Sequence, residues 1–226
     1  GIVNNTIQEC IPEMRSAADN NPNAQLLIRA LQFSSGASWI TSSPVPVEDY
    51  GWEDMDANGL TELGKAFDLL AAQLSIPPMP ERALPPVIVL LSDGQPTDDY
   101  KKSMEKLKKL PWFRKAVKIA ISIGQDADDE VLIEFTGNKE LVLQANNATA
   151  LAKMIKWAST TASMVSAPSS KPMNSVAAST PATASGASVA SAPADDPFAP
   201  ANNGAPLVLD MSNIPNPDDF DEGAVW

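Results

Sequence analysis

Over the first 163 residues, short apolar runs alternate with stretches of helical periodicity. The purest run is Val87-Ile-Val-Leu-Leu91, flanked by Pro86 and by Ser92-Asp93-Gly94. It is too short for a helix and has no polar face, so it predicts a strand over 86–92 buried on both sides, as in a parallel sheet. Ala116 to Ile123, ended by Gly124, repeats the pattern, and Leu141 to Gln144 predicts a shorter strand. Ala24 to Phe33 reads as a further strand, with Leu26, Ile28, Ala30 and Leu31 turned to the core. Ser35-Gly36 then turns the chain into an edge hairpin partner at Ala37 to Ile40. Between these lie helical patterns. Residues 3–19 put Ile7, Ile11 and Met14 on one face, with Pro12 marking an irregularity or boundary. Thr61 to Leu74 carries the stripe Leu63, Ala66, Phe67 and Leu70. Tyr100 to Leu110 is basic and amphipathic around Met104 and Leu107. A capped helix follows Asp126 and Asp128, runs to Phe135 and stops at Gly137. The last helix spans Ala148 to Ser163, capped by Asn146 or Asn147. The expected class is α/β: a Rossmann-like, mostly parallel central sheet with helices on both faces.

The pattern ends near Ser163. Residues 164–204 are rich in Ala, Ser, Pro and Thr and cannot bury enough apolar surface to offset their ordering entropy, so a disordered linker is expected there. Residues 205–226 interleave acids with Phe220, Val225 and Trp226, which suits either a short docking peptide on a tether or a solvated acidic tail. The chain has 16 basic and 28 acidic residues, a formal charge of -12. That balance argues against nucleic acid or an anionic membrane surface as partner. It favours a cation or a basic protein surface. A single cysteine, Cys10, excludes a disulfide framework and a cysteine-based zinc site. The absence of histidine closes serine–histidine and cysteine–histidine catalysis to this chain by itself. No apolar run is long enough to cross a bilayer and no basic-then-apolar leader opens the chain, so the expected location is cytoplasmic. Gly1 in place of methionine implies a processed or cut N-terminus.

Candidate chemistry gathers where strands end. Asp93 offers a carboxylate at the carboxyl edge, where ligands of open α/β sheets bind, and Gly94 permits a tight turn. The same Asp-Gly pair also serves as an ordinary turn former. Thr61 stands at the mouth of a helix, able to cap it or to hold a hard cation. Asp126 and Asp128 follow the next strand and are expected on the same rim, with Ser92 and Gly94 as further rim or partner contacts. The lysines of 101–109 admit a phosphate-binding reading, but such a run more often is the solvated side of an amphipathic helix. No Gly-rich loop joins a strand to a helix, so a nucleotide site has little support.

Gly1-Ile-Val-Asn-Asn-Thr-Ile-Gln-Glu9, Ala30-Leu-Gln-Phe-Ser-Ser-Gly36, Gly59-Leu-Thr-Glu-Leu-Gly64, Leu90-Leu-Ser-Asp-Gly-Gln-Pro-Thr-Asp-Asp99 and Phe135-Thr-Gly-Asn-Lys139 together resemble a von Willebrand factor type A (vWA) domain. Within that superfamily the likeness is to bacterial TerY-like proteins of tellurium resistance, and it covers residues 1–163. The resemblance implies a metal-ion-dependent adhesion site (MIDAS) holding magnesium, built from an Asp-x-Ser-x-Ser loop, a threonine and an aspartate. Thr61 and Asp93 match the last two. The first loop, with its central strand, belongs immediately before the first helix, so the site is incomplete in this chain and the fold is expected to be N-terminally truncated. A central strand lost from between 24–33 and 86–92 would leave backbone groups unpaired, at about 1–3 kcal/mol for each one buried. Pro206-Leu-Val-Leu-Asp-Met-Ser-Asn-Ile214 offers an alternative source, with Asp210 and Ser212 in a partial copy of the loop motif.

Three functions stand side by side. The first is a non-enzymatic module binding a protein partner through Mg2+, in a stress-response setting, with kinase- or phosphatase-like proteins as implied associates. The second is a phosphatase or phosphotransferase with Asp93 as nucleophile. Against it, Gln95 stands where the haloacid-dehalogenase pattern has a second acid. The third is a metal-independent scaffold working through its tail.

Overall fold

The computed structural model describes residues 2–20, 25–55 and 59–166. Asp210, Ser212, the tail at 205–226 and nearly all of the expected linker lie outside them. From the N-terminus, α1 (Ile2–Asp19) leads to β1 (Leu27–Ile28), β2 (Leu31–Ser34), β3 (Gly36–Trp39) and β4 (Val45–Pro46). Then come α2 (Leu63–Gln73), β5 (Val87–Ser92), α3 (Tyr100–Lys109), α4 (Pro111–Lys115) and β6 (Val117–Ile123). The order closes with α5 (Asp129–Thr136), a 3-10 turn at Lys139–Leu141, β7 (Val142–Ala145) and α6 (Ala148–Ser166).

The three apolar runs form a parallel sheet in the order β5-β6-β7. Side chains alternate across it, as the period of a strand dictates. Val87, Val89 and Leu91 pack with Ile119, Ile121 and Leu143 beneath α1 and α6. Ile88 and Leu90 enter the opposite layer with Phe67, Met104, Trp112, Leu132 and Phe135 from α2 to α5. Helices thus cover both faces, and no helix of the described residues is long and apolar enough to cross a membrane. Met104 and Leu107 are fully buried. The lysines opposite them reach sideways, Lys106 to Asp68 at 2.8 Å and Lys108 to Glu134 at 2.7 Å. Two of the five lysines of 101–109 are therefore engaged in ion pairs with neighbours on α2 and α5.

Two short elements, β4 and α4, are additional to the sequence reading, and three expected elements depart from it. Helix α1 runs through Pro12 without a break. Pro12 and Gln8 are both exposed, so the carbonyl that the proline leaves without a donor can be met by water. The strand expected over 24–33 is two strands, because its halves have different partners. Leu27–Ile28 pairs with Val45–Pro46, and Leu31–Ser34 with Gly36–Trp39. At the break, the Arg29 guanidinium lies 4.0 Å over Trp39 and donates to the carbonyls of Thr41 and Ser42 and to Gln73. Leu26, Ile28, Ala30 and Leu31 are half-buried there rather than core. Lastly, α6 continues to Ser166, three residues past the expected end.

Among the described residues β5 is an edge strand, and β2 pairs only with β3. No ladder joins the hairpin to the parallel sheet. Helix α2 spans the two instead, packing on β2 and β3 while its Phe67 shares a core cluster with Leu90.

Candidate functional site

The site grows from the end of β5. Ser92 is buried and donates its hydroxyl to the carbonyl of Gly94 at 3.2 Å, which folds the loop back as it leaves the sheet. Asp93, between them, is exposed. A Cβ on Gly94 would lie 3.2 Å from the Thr61 hydroxyl oxygen, so that hydroxyl sits against the residue following Asp93. Thr61 and the Asp93 loop thereby meet at one place on the carboxyl edge.

Thr61 is delivered there by a loop that leans on the hairpin. Leu60 donates its amide to the Ser35 hydroxyl at 3.1 Å, and Glu62 donates to the Ser34 carbonyl at 3.0 Å. Gly59 has φ +113°, and a Cβ on it would stand 2.4 Å from the Ser35 oxygen; only glycine suits both the turn and the contact. A shallow hollow of about 260 Å³, lined by Gln32, Ser34, Ser35, Gly36, Ala37 and Ser38, opens on the hairpin that supports this loop.

Thr61 is not the helix cap. The N-cap position of α2 is Glu62, whose side chain makes no capping bond. The first-turn amides of Gly64 and Lys65 donate to the Asp98 carboxylate at 2.9 and 3.1 Å. The Thr61 carbonyl accepts from Leu63 and, at 2.9 Å, from Thr97. Sequence reasoning missed Asp98 because Asp98-Asp99-Tyr100 looks like the cap of its own helix; Asp99 does hold that position but makes no capping bond.

The other predicted acids lie elsewhere on the rim. Asp128 caps α5, accepting from Glu130 and Val131 at 3.1 and 3.3 Å. Asp126 is exposed in the preceding loop. Asp129, not singled out from sequence, accepts from Ser122 and Gln144, both at 2.8 Å, and ties the ends of β6 and β7 to α5. Among the described residues no three His, Cys, Asp or Glu side chains gather as a metal-holding group.

No family model and no curated protein matches the sequence. Solved structures do. Proximal thread matrix protein 1 from the mussel byssus matches at 19% identity and TM-score 0.51, over 69% of this chain and 42% of that one. A form of the same protein titled as having a zinc-occupied MIDAS motif matches at 19% identity and TM-score 0.50, over 70% and 41%. A von Willebrand factor type A structure from Catenulispora acidiphila follows at 13% identity and TM-score 0.47, over 70% and 38%. This chain spans about two fifths of the length of the mussel structures it matches. Its fold is that of a vWA domain: a parallel sheet flanked by helices.

Proposed function

We propose that this chain is a non-enzymatic protein-interaction module, binding an acidic side chain of a partner through a divalent cation, magnesium, held at Thr61 and Asp93. The observation that carries the reading is the Thr61 hydroxyl lying against Gly94, directly after Asp93, at the carboxyl edge of a vWA fold. A hydroxyl and a carboxylate are hard oxygen donors, and magnesium held by few protein oxygens keeps water in its other positions. The cation would supply a positive centre on an acidic chain, and a partner carboxylate replacing one water would complete the contact. The zinc-occupied MIDAS named for a structure of the same fold supports a divalent ion here.

Two donors are few, and the free edge of β5 suggests where others enter. In this reading a strand carrying an Asp-x-Ser-x-Ser loop, which the resemblance places ahead of α1, seats between β2 and β5. Gly94, Asp126 and Asp128 then form the rim that a partner meets; Ser92, expected there from sequence, is buried and braces the loop from beneath. The TerY-like resemblance further suggests a cytoplasmic, bacterial tellurite or stress-response setting with kinase- or phosphatase-like associates.

The test is a calorimetric titration of Mg2+ and Mn2+ into the wild type, Thr61→Ala, Asp93→Ala and Asp126→Ala. Saturable binding that falls at least about tenfold (~1.4 kcal/mol) in the first two variants, and persists in Asp126→Ala, is expected. Binding that survives both Thr61→Ala and Asp93→Ala defeats the assignment. An unchanged affinity in Asp210→Ala excludes the tail as donor.

A further inference from the structure

Asp98 does something unusual for a helix cap: it reaches α2 from a different loop. Its two carboxylate oxygens take the adjacent amides of Gly64 and Lys65, while its own carbonyl accepts from Tyr100 at 2.9 Å at the start of α3. An anion is favoured at a helix N-terminus, and two amides on two oxygens fix its orientation as well as its place. The space is made by Gly64. A Cβ there would stand 2.9 Å from an Asp98 oxygen, 3.0 Å from the Tyr100 Cα and 3.2 Å from the Asp99 carbonyl. The loop carrying Asp93 is thus anchored at one end by β5 and at the other by Asp98 on α2. Between the anchors, the Thr97 amide reaches the Thr61 carbonyl and Gly94 abuts the Thr61 hydroxyl.

We propose that Asp98 is the positioning residue of this edge, its carboxylate holding the Thr61 loop and the Asp93 loop in a single arrangement. Asp98 does not touch the ion in this account; it acts through the two residues it aligns. The proposal rests on the metal-binding reading only for its second readout, and the first is independent of any ion.

The first readout is amide hydrogen exchange of the full chain in chelator-containing buffer, by NMR. Asp98→Ala should speed exchange at Gly64 and Lys65, which lose their acceptor, and also at Thr97, by tenfold or more. The acceptor of Thr97, the Thr61 carbonyl, is untouched by the substitution, so only a loosened loop pair exposes it. Asp98→Asn, which retains one acceptor oxygen, should fall between, and Asn138→Ala, removing the cap of the 3-10 turn at Lys139–Leu141, should leave Thr97 as in the wild type. Wild-type protection of Thr97 in Asp98→Ala overturns the proposal, as does a uniform acceleration that includes Ile119 and Ala120 of β6. Should Asp98→Ala fail to fold, Gly64→Ala forces the same contact apart and is judged by the same amide. The second readout is Mn2+ affinity from water-proton relaxation, expected to weaken about tenfold in Asp98→Ala and not in Asn138→Ala. Equal affinities in wild type and Asp98→Ala overturn the proposal. A wild type that takes up no Mn2+ defeats the metal-binding reading instead, and Thr97 exchange still decides the role of Asp98.

Discussion

At the scale of single residues, Cys10 shows how burial sets chemistry. It lies under α6, and burial, with Glu13 and Glu9 nearby, pushes its thiol up to about 11 against the opposing pull of Lys156. The thiol is more acidic in the unfolded chain, so folding keeps it protonated. This contribution to stability is full below the ordinary thiol range and is lost as pH rises through about 11. The native protein should therefore resist a disulfide reagent at pH 8 and react with one equivalent on adding denaturant, followed as released chromophore. Prompt reaction without denaturant contradicts the packing of α1 on α6. Thr61 and Asp93 stand out in the sequence because each follows a pattern, a loop-then-helix and a strand-then-turn, and the structure sets those two loops side by side. Asp98 was not, because its partner amides lie 33 and 34 residues away and nothing local distinguishes a carboxylate that caps its own helix from one that caps another.

At the scale of elements, periodicity found five of the six helices and the parallel strands, because each buries a face that the pattern records; α4, five residues long, is too short for a period to show. Met104 and Leu107 on α3 and the αL glycine ending α5 stand where the sequence put them. The failure was the strand at 24–33. Its apolar residues are compatible with a continuous strand, and the break at Arg29 depends on which distant segments pair on either side. The helical layer over the sheet turns on a ring contact: Phe67 and Phe135 are stacked with centroids 5.8 Å apart, and Phe113 meets Phe135 edge-on. Phe135 is 1% exposed, so Phe135→Ala should cost about 3–5 kcal/mol, measured by urea denaturation. A loss under about 1 kcal/mol would mean that this layer is not packed as described.

At the scale of the whole molecule, the hairpin and the parallel sheet are joined, among the described residues, by packing and not by a ladder. Among the described residues the unpaired edge of β5 is apolar, six residues long and without the charge, proline or bulge that usually blunts an edge. The described domain should therefore self-associate as concentration rises, seen by sedimentation velocity as a shift to larger species. A monomer at all concentrations would require that edge to be covered within the chain. No apolar pattern could report the opening, since β5 reads as an interior strand and its sequence is indifferent to which neighbour is present.

Helix α2 carries a second consequence. It packs on β2 and β3, and its Phe67 shares one core cluster with Leu90 of β5 and with Phe33 of β2, so the separation of hairpin and sheet is set by side-chain packing. With no ladder to fix it among the described residues, that separation should vary more than the spacing of strands within the sheet. Paramagnetic labels on the exposed positions Ser38 and Lys101 would report it as a distribution of distances, and whatever settles above Thr61 would narrow that distribution from the helix's first turn outward.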